Sequence, residues 1–300
     1  MPHTAPPPDS RARDDAAIPD ELAESAVTGA ERDAREAADR AQITIVEARD
    51  ESAARLIAEV GARVWGPRGT LAPNELRALM HAGDPVHLAL DRSQPGRDVV
   101  GFAVGFVGWS PLLHVHSHQV GVVDGHRRRG VGYALKLAQR HTCLSHGITD
   151  MRWTFDPLVR RNASFNLGAL GAHAAAFHVD FYGAMDDAIN EGDASDRLEA
   201  VWALARPLPS RPSAAPAIRG ELVPLLVERD GRPQPTGADP SAGAMLAIPA
   251  DYETLRRQDP SSGRAWRAAV REVLRAAYAS GLRVGRVTDT GYQLVAGDDA

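Results

Sequence analysis

An α+β fold in two unequal parts is what this 300-residue sequence predicts. A strand-like run, Gln119 to Val123, passes through Arg127-Arg128-Arg129-Gly130-Val131-Gly132 into a helix-like run, Val131 to Ser145. On both sides of that junction, alternating apolar runs and runs of 3.6-residue period succeed one another. A Pro-rich tract, Pro207 to Pro216, then sets residues 41–206 apart from a shorter stretch with its own strand and helix patterns.

Met1 to about Arg40 holds Pro, Ala, Asp, Glu and Arg with almost no large apolar residues, so it is expected to be disordered apart from a helix near Glu31 to Arg40. Ile43 to Glu47 opens the fold as a strand. Helix-like runs at Ser52 to Val64 and Pro73 to His81 follow, then strands at Val86 to Leu90 and Val99 to Gly108 around a polar turn, Asp91 to Arg97. In the helix after the glycine loop, Val131, Leu135, Ala138 and Thr142 keep the helical period, and Gly147 marks its stop. Asp150 to Phe155 alternates as a strand and ends at Asp156-Pro157. A shorter helix, Arg161 to Leu170, closes at Gly171-Ala172, and strands fit Phe177 to Tyr182 and Leu198 to Ala205. Beyond a linker at 207–220, residues 221–300 form a small α+β lobe. Its strands fit Leu222 to Val227, Met245 to Ile248, Leu282 to Val287 and Tyr292 to Val295, and its helix Arg264 to Ala279.

Composition narrows the function. A net charge of -5 gives no polycationic surface for nucleic acid. The one cysteine, Cys143, allows no internal disulfide, and no apolar run has the length of a membrane span or a signal segment. A cytoplasmic bacterial protein is expected. Of 34 basic residues 33 are arginine, a bias of the kind a GC-rich genome produces.

The loop reads as a pyrophosphate cradle. Glycines at 130 and 132 let an anion approach the backbone, the N–H groups of the new helix point at it, and Arg127 adds a cation at the mouth. A P-loop would need Gly-Lys-Ser/Thr. The dinucleotide fingerprint would need a third glycine where Leu135 stands.

Arg-x-x-Gly-x-Gly at a strand-to-helix junction resembles the acetyl-CoA loop of the GNAT superfamily of acyl-CoA N-acyltransferases. The order of elements from Ala41 to Arg206 is similar to the GNAT core. Ser117-His118, Leu135-Lys136-x-x-Gln139-Arg140, Trp153-Thr154-Phe155-Asp156-Pro157-Leu158, Arg161-Asn162-Ala163, Phe165-Asn166-Leu167, Phe181-Tyr182-Gly183 and Asp196-Arg197 together resemble a subfamily of predicted acetyltransferases with a C-terminal extension. The resemblance implies a three-layer α/β arrangement with a mixed, mostly antiparallel sheet flanked by helices. It implies acetyl-CoA or another acyl-CoA as co-substrate, with no metal. CoA contacts would lie at Val122, Val123, Arg127, Arg128, Arg129, Gly130, Val131, Gly132 and Tyr133, and at Asn162 on the pantetheine arm. The subfamily's association with enzymes acting on N-acyl amino acids points to a small-molecule amine, an amino acid, as acceptor of an acetyl or succinyl group. Homodimerisation stays open.

Acyl transfer to an amine needs a proton acceptor, an oxyanion donor and a thiolate that can be protonated. The family's usual glutamate is missing from the strand before the cradle. His114-Val115-His116-Ser117-His118 stands there instead, with His118 as the favoured base and His116 in reserve. A metal held by the three histidines finds no carboxylate or cysteine nearby. Where the family often places a tyrosine, this chain has Leu167, so Tyr182 or water would protonate the thiolate. Asp156, held in an extended turn before proline, is a candidate for the acceptor's ammonium, and Arg160 and Arg161, with Arg152 near them, for a carboxylate. Two classes of function remain: an N-acyltransferase, or a non-catalytic CoA-binding module that acts as a sensor or partner-binding subunit.

Overall fold

The computed structural model describes residues 20–67, 69–93, 98–183, 193–209, 223–240 and 243–297. The chain begins with α1 (Asp20–Arg40), β1 (Ile43–Glu47), α2 (Glu51–Trp65) and α3 (Pro73–Ala82). Asp50 caps α2 by accepting from Ala53 N at 2.8 Å, and α3 starts on Pro73 and ends at left-handed Gly83. Then come β2 (Val86–Asp91), β3 (Val99–Gly108), β4 (His114–Val122), α4 (Val131–Ser145) and β5 (Asp150–Phe155). A single α-helical turn, α5 (Arg160–Ala163), runs into a π-helical segment (Ser164–Ala169), followed by β6 (His173–His178) and β7 (Arg197–Ala203).

These strands make one sheet in the order β1-β2-β3-β4-β5-β7-β6, antiparallel throughout except for the parallel pair β4 and β5. α4 lies on one face, packed against β2, β3 and β4, and α2 contacts β3 and β4. This is the mixed, mostly antiparallel arrangement that the resemblance implies. A second sheet, β11-β12-β10-β8-β9, contains β8 (Pro224–Arg229), β9 (Arg232–Pro235), β10 (Met245–Ala247), β11 (Leu282–Val287) and β12 (Gly291–Ala296). With α6 (Tyr252–Gln258) and α7 (Pro260–Ala279) it forms the C-terminal part. One continuous apolar core runs from Phe102, Leu135 and Met151 into Trp266 and Tyr292.

Four expectations need correcting. The helix expected near Glu31 to Arg40 begins already at Asp20, so residues 20–30 are helical rather than disordered, and α1 packs along α4. Ala26, Val27, Ala30, Ala34, Ala37, Ala38 and Ala41 line one side, and this stripe allows close approach at little side-chain entropy cost. β4 starts at His114, ahead of Gln119. The expected 161–170 helix is one α turn plus a π segment, in which Leu170 N reaches Phe165 O at 3.0 Å. β6 ends at His178, which leaves Phe181 and Tyr182 in the turn beyond it. Residues 1–19 and most of the expected linker lie outside the described residues, though Leu208 packs on the core.

Candidate functional site

At the cradle, Gly130 caps α4 with φ at 87°, and Arg128 at φ 62° turns the chain before it. The first α4 turn closes with Ala134 N on Gly130 O at 3.0 Å. The amides of Val131, Gly132 and Tyr133 donate to no backbone carbonyl among the described residues, as a helix N-terminus requires. A Cβ on Gly132 would stand 3.8 Å from Val122 Cγ2, which places this turn directly over the end of β4. Arg127 is exposed and pairs with Asp124 at 3.2 Å, and Arg128 and Arg129 are exposed. Val131 is buried in the core. Tyr133 is half-buried, with its ring edge-on to Phe165 of the π segment at 6.5 Å. The first turn of α4 and the π segment are thus two walls of one opening, and Asn162 stands exposed a turn before Phe165.

The opening leads into a split in the sheet. β4 and β5 are in register at only two positions, Val115 with Met151 and His116 with Arg152. Beyond His116 the edge of β4 facing β5 has no strand partner, so its backbone groups up to Val122 face the gap. A bulge sits at the apex: Gly105 pairs with Ser117 and Val104 with Gln119, which makes His118 the extra residue. Ser117 turns to α4 and donates to Gln139 Oε1 at 2.7 Å. His116 and His118 take the opposite face against Phe106, at ring distances of 5.1 and 5.7 Å. Neither ring has a hydrogen-bond partner among the described residues. Burial lowers both, His116 to about 4 with His118 and His114 adding to the effect, so both are neutral at pH 7. His114 points elsewhere, with Nδ1 2.7 Å from Leu112 O in the β3–β4 hairpin.

Side chains alternate along β5. Met151 and Trp153 are buried against α4, where Lys136, the chain's single lysine, lies with Nζ 3.4 Å from the Trp153 ring centroid. Arg152 and Thr154 therefore share the face of the two histidines. Thr154 stands opposite Glu199 of β7, and Arg152 Nη1 donates to Glu199 Oε1 at 3.2 Å. His178 Nε2 lies 2.9 Å from the other oxygen, Oε2. That contact, with Arg152 behind it, holds the Glu199 carboxyl below its ordinary range. Tyr182 reaches Thr154 Oγ1 at 3.0 Å, so it does stand at the split. Sequence reading missed Glu199 and His178, whose only local signal was a polar residue at alternate positions of apolar strands.

Other expected site residues are committed elsewhere. Both oxygens of Asp156 accept from Arg267, at 2.9 and 2.6 Å, so this carboxylate is not free for an ammonium. Arg160 donates to the Ile248 and Asp289 carbonyls and Arg161 pairs with Glu253, which ties both to the C-terminal part and away from an acceptor. Val123 is buried and its amide bonds Val100 O at 3.0 Å, so it turns from the split, while Val122 remains at its edge.

No family model matches the chain, and no curated protein matches it. Solved structures similar to it include the ribosomal-protein-S18-alanine N-acetyltransferase from Escherichia coli, at 13% identity over 56% of this chain and 97% of that one with a TM-score of 0.43. YncA, a putative acetyltransferase from Salmonella typhimurium with its cofactor acetyl-CoA, is 20% identical over 58% and 99%, with a TM-score of 0.43. The IAA acetyltransferase from Bacillus cereus is 11% identical over 53% and 98%, with a TM-score of 0.40.

Proposed function

We propose that this protein is an acyl-CoA-dependent N-acyltransferase that moves an acetyl or succinyl group from the CoA thioester to the amine of a small molecule, an amino acid, by direct attack. One observation carries the reading: a sheet split whose wide end meets a glycine cradle of unused amides and whose apex holds a neutral histidine. The fit to CoA is physical. The amides of Val131, Gly132 and Tyr133, with Arg127, Arg128 and Arg129 around them, suit a pyrophosphate, and Val122 and Asn162 flank the path of the pantetheine arm. Bound CoA would supply the activated thioester.

His118 takes a proton from the acceptor nitrogen, with His116 behind it, and the unpaired β4 edge offers N–H groups to the oxyanion. Tyr182, hydrogen-bonded to Thr154, protonates the departing thiolate. Of the arginines considered for an acceptor carboxylate, Arg152 is the one on this face, with its guanidinium held by Glu199. A panel of acyl-CoA donors crossed with amino acids and their amides, read by free thiol release, tests the proposal. Free amino acids should react better than amides. CoA binding without thiol release from any pair would favour a sensor module instead.

A further inference from the structure

Resting on the acyltransferase reading, the further question is where the acceptor's protons go. An amine that arrives as ammonium sheds two protons on becoming an amide. One can return to the thiolate, and the other must leave the site. His118 is suited to passing a proton on and poorly suited to keeping it, because burial disfavours its charged form. Something beside it has to hold the charge.

We propose that Glu199 and His178 form a carboxylate–imidazole dyad that takes up this departing proton, with Arg152 as the residue that positions it. The geometry carries the assignment. Only β5 separates His116 from Glu199 across the sheet, since His116 is in register with Arg152 and Thr154 with Glu199. β4 and β7 stand two strand spacings apart, about 10 Å where strands are paired and more at the split, so the histidines and the dyad lie on its two sides at a separation that water spans. Arg152 Nη1 fixes one Glu199 oxygen and His178 the other, an arrangement in which a proton on His178 Nε2 is shared with a carboxylate and its charge is stabilised. The groups around the dyad are Arg152 from β5, His116 and His118 from β4, Tyr182 from the turn after β6, and Arg197 on β7 itself. The step is a proton transfer alone: ammonium N–H to the His118 ring nitrogen, imidazolium to water in the split, that water's proton to the His178–Glu199 pair, and from there to solvent.

The consequence is a discrimination between amines by charge. An acceptor that arrives already neutral sheds one proton, which the thiolate takes, and needs no dyad. The test uses acetyl-CoA with alanine and with 3,3,3-trifluoroalanine, whose amine is far less basic, read by free thiol. Glu199→Gln should lower kcat for alanine about 10- to 100-fold and for trifluoroalanine less than about threefold. Glu199→Asp should restore most of the alanine rate. Should Glu199→Gln fail to fold, His178→Gln is expected to show the same contrast. A variant that slows both amines alike, or neither, overturns the dyad while leaving the acyltransferase reading intact. Wild-type protein that binds CoA but acylates no amine of the full donor and acceptor panel overturns both.

Discussion

Two clusters of charge flank β5, and they differ in what is left over. At its exit, Arg267 joins Asp156 to Asp193, Arg256 and the Tyr252 hydroxyl also reach Asp193, and Arg271 takes Asp196. The centre of this cluster is deeply buried, with the Arg267 and Asp193 side chains only 6% and 5% exposed, while Arg271 at its edge is 31% exposed. Burial alone would raise Asp193, and Arg267 nevertheless holds it below its ordinary range. On the open face, by contrast, the His116 and His118 rings stack on Phe106 and have no hydrogen-bond partner among the described residues. A closed network is what a joint between two sheets needs. Spare hydrogen-bonding capacity is what the proposed acceptor site would use.

The sharpest way to break this contrast is at the apex of the split. His118→Ala should lower kcat about 10²- to 10⁴-fold at neutral pH with acyl-CoA affinity little changed, and the loss should shrink at high pH, where the amine is already neutral. Steady-state rates and calorimetry with CoA check this. At the joint the response should be of the opposite kind. Arg267→Met leaves Asp156 buried without a cation and Asp193 with Arg256 alone, and should cost about 3–5 kcal/mol in urea unfolding. While the protein remains folded, its kcat/KM should stay within about twofold of wild type.

Two further variants sharpen the comparison. Gly130→Asp sets a side chain and a negative charge against the cradle at a positive-φ position, and should weaken CoA by about tenfold or more. Unchanged affinity in folded protein would remove the cradle from the site. The smallest effect expected is a gain. Lys136 is 2% exposed, and its hydrogen-bond partner is Met151 Sδ at 3.7 Å, so burial pushes its ammonium well below the ordinary range. The unfolded chain keeps that proton below about pH 10.4, so the cost applies at neutral pH and fades as pH rises. Lys136→Met should therefore raise stability by about 1–2 kcal/mol at pH 7 and flatten its rise towards pH 10, as followed by Tm. Arginine, which this chain uses everywhere else, could not shed its proton there.

What was legible in the sequence was local. The cradle needs two glycines and a helix start within a few residues, and Val131–Ser145 and Asp150–Phe155 fall where periodicity puts them. Asp156 could not be read correctly because its partner lies 111 residues further on. Glu199 and His178 meet Arg152 only because β7 comes between β5 and β6, an order that no local pattern encodes. The first half of the first helix and its packing escaped for a different reason: a core is read from large apolar residues, yet a stripe of alanines lets two helix backbones close together.

That helix also alters what counts as a removable end. The Arg140 guanidinium bonds Asp33 at 3.0 Å, the Leu204 carbonyl at 2.8 Å and the Arg206 carbonyl at 3.3 Å. One planar group thus ties the start of the chain to the helix beneath the cradle and to the exit of the last strand of the large sheet. A preparation trimmed at residue 41, as the composition of the first forty residues invites, would strip the cover from α4 and leave this fork without its only carboxylate among the described residues.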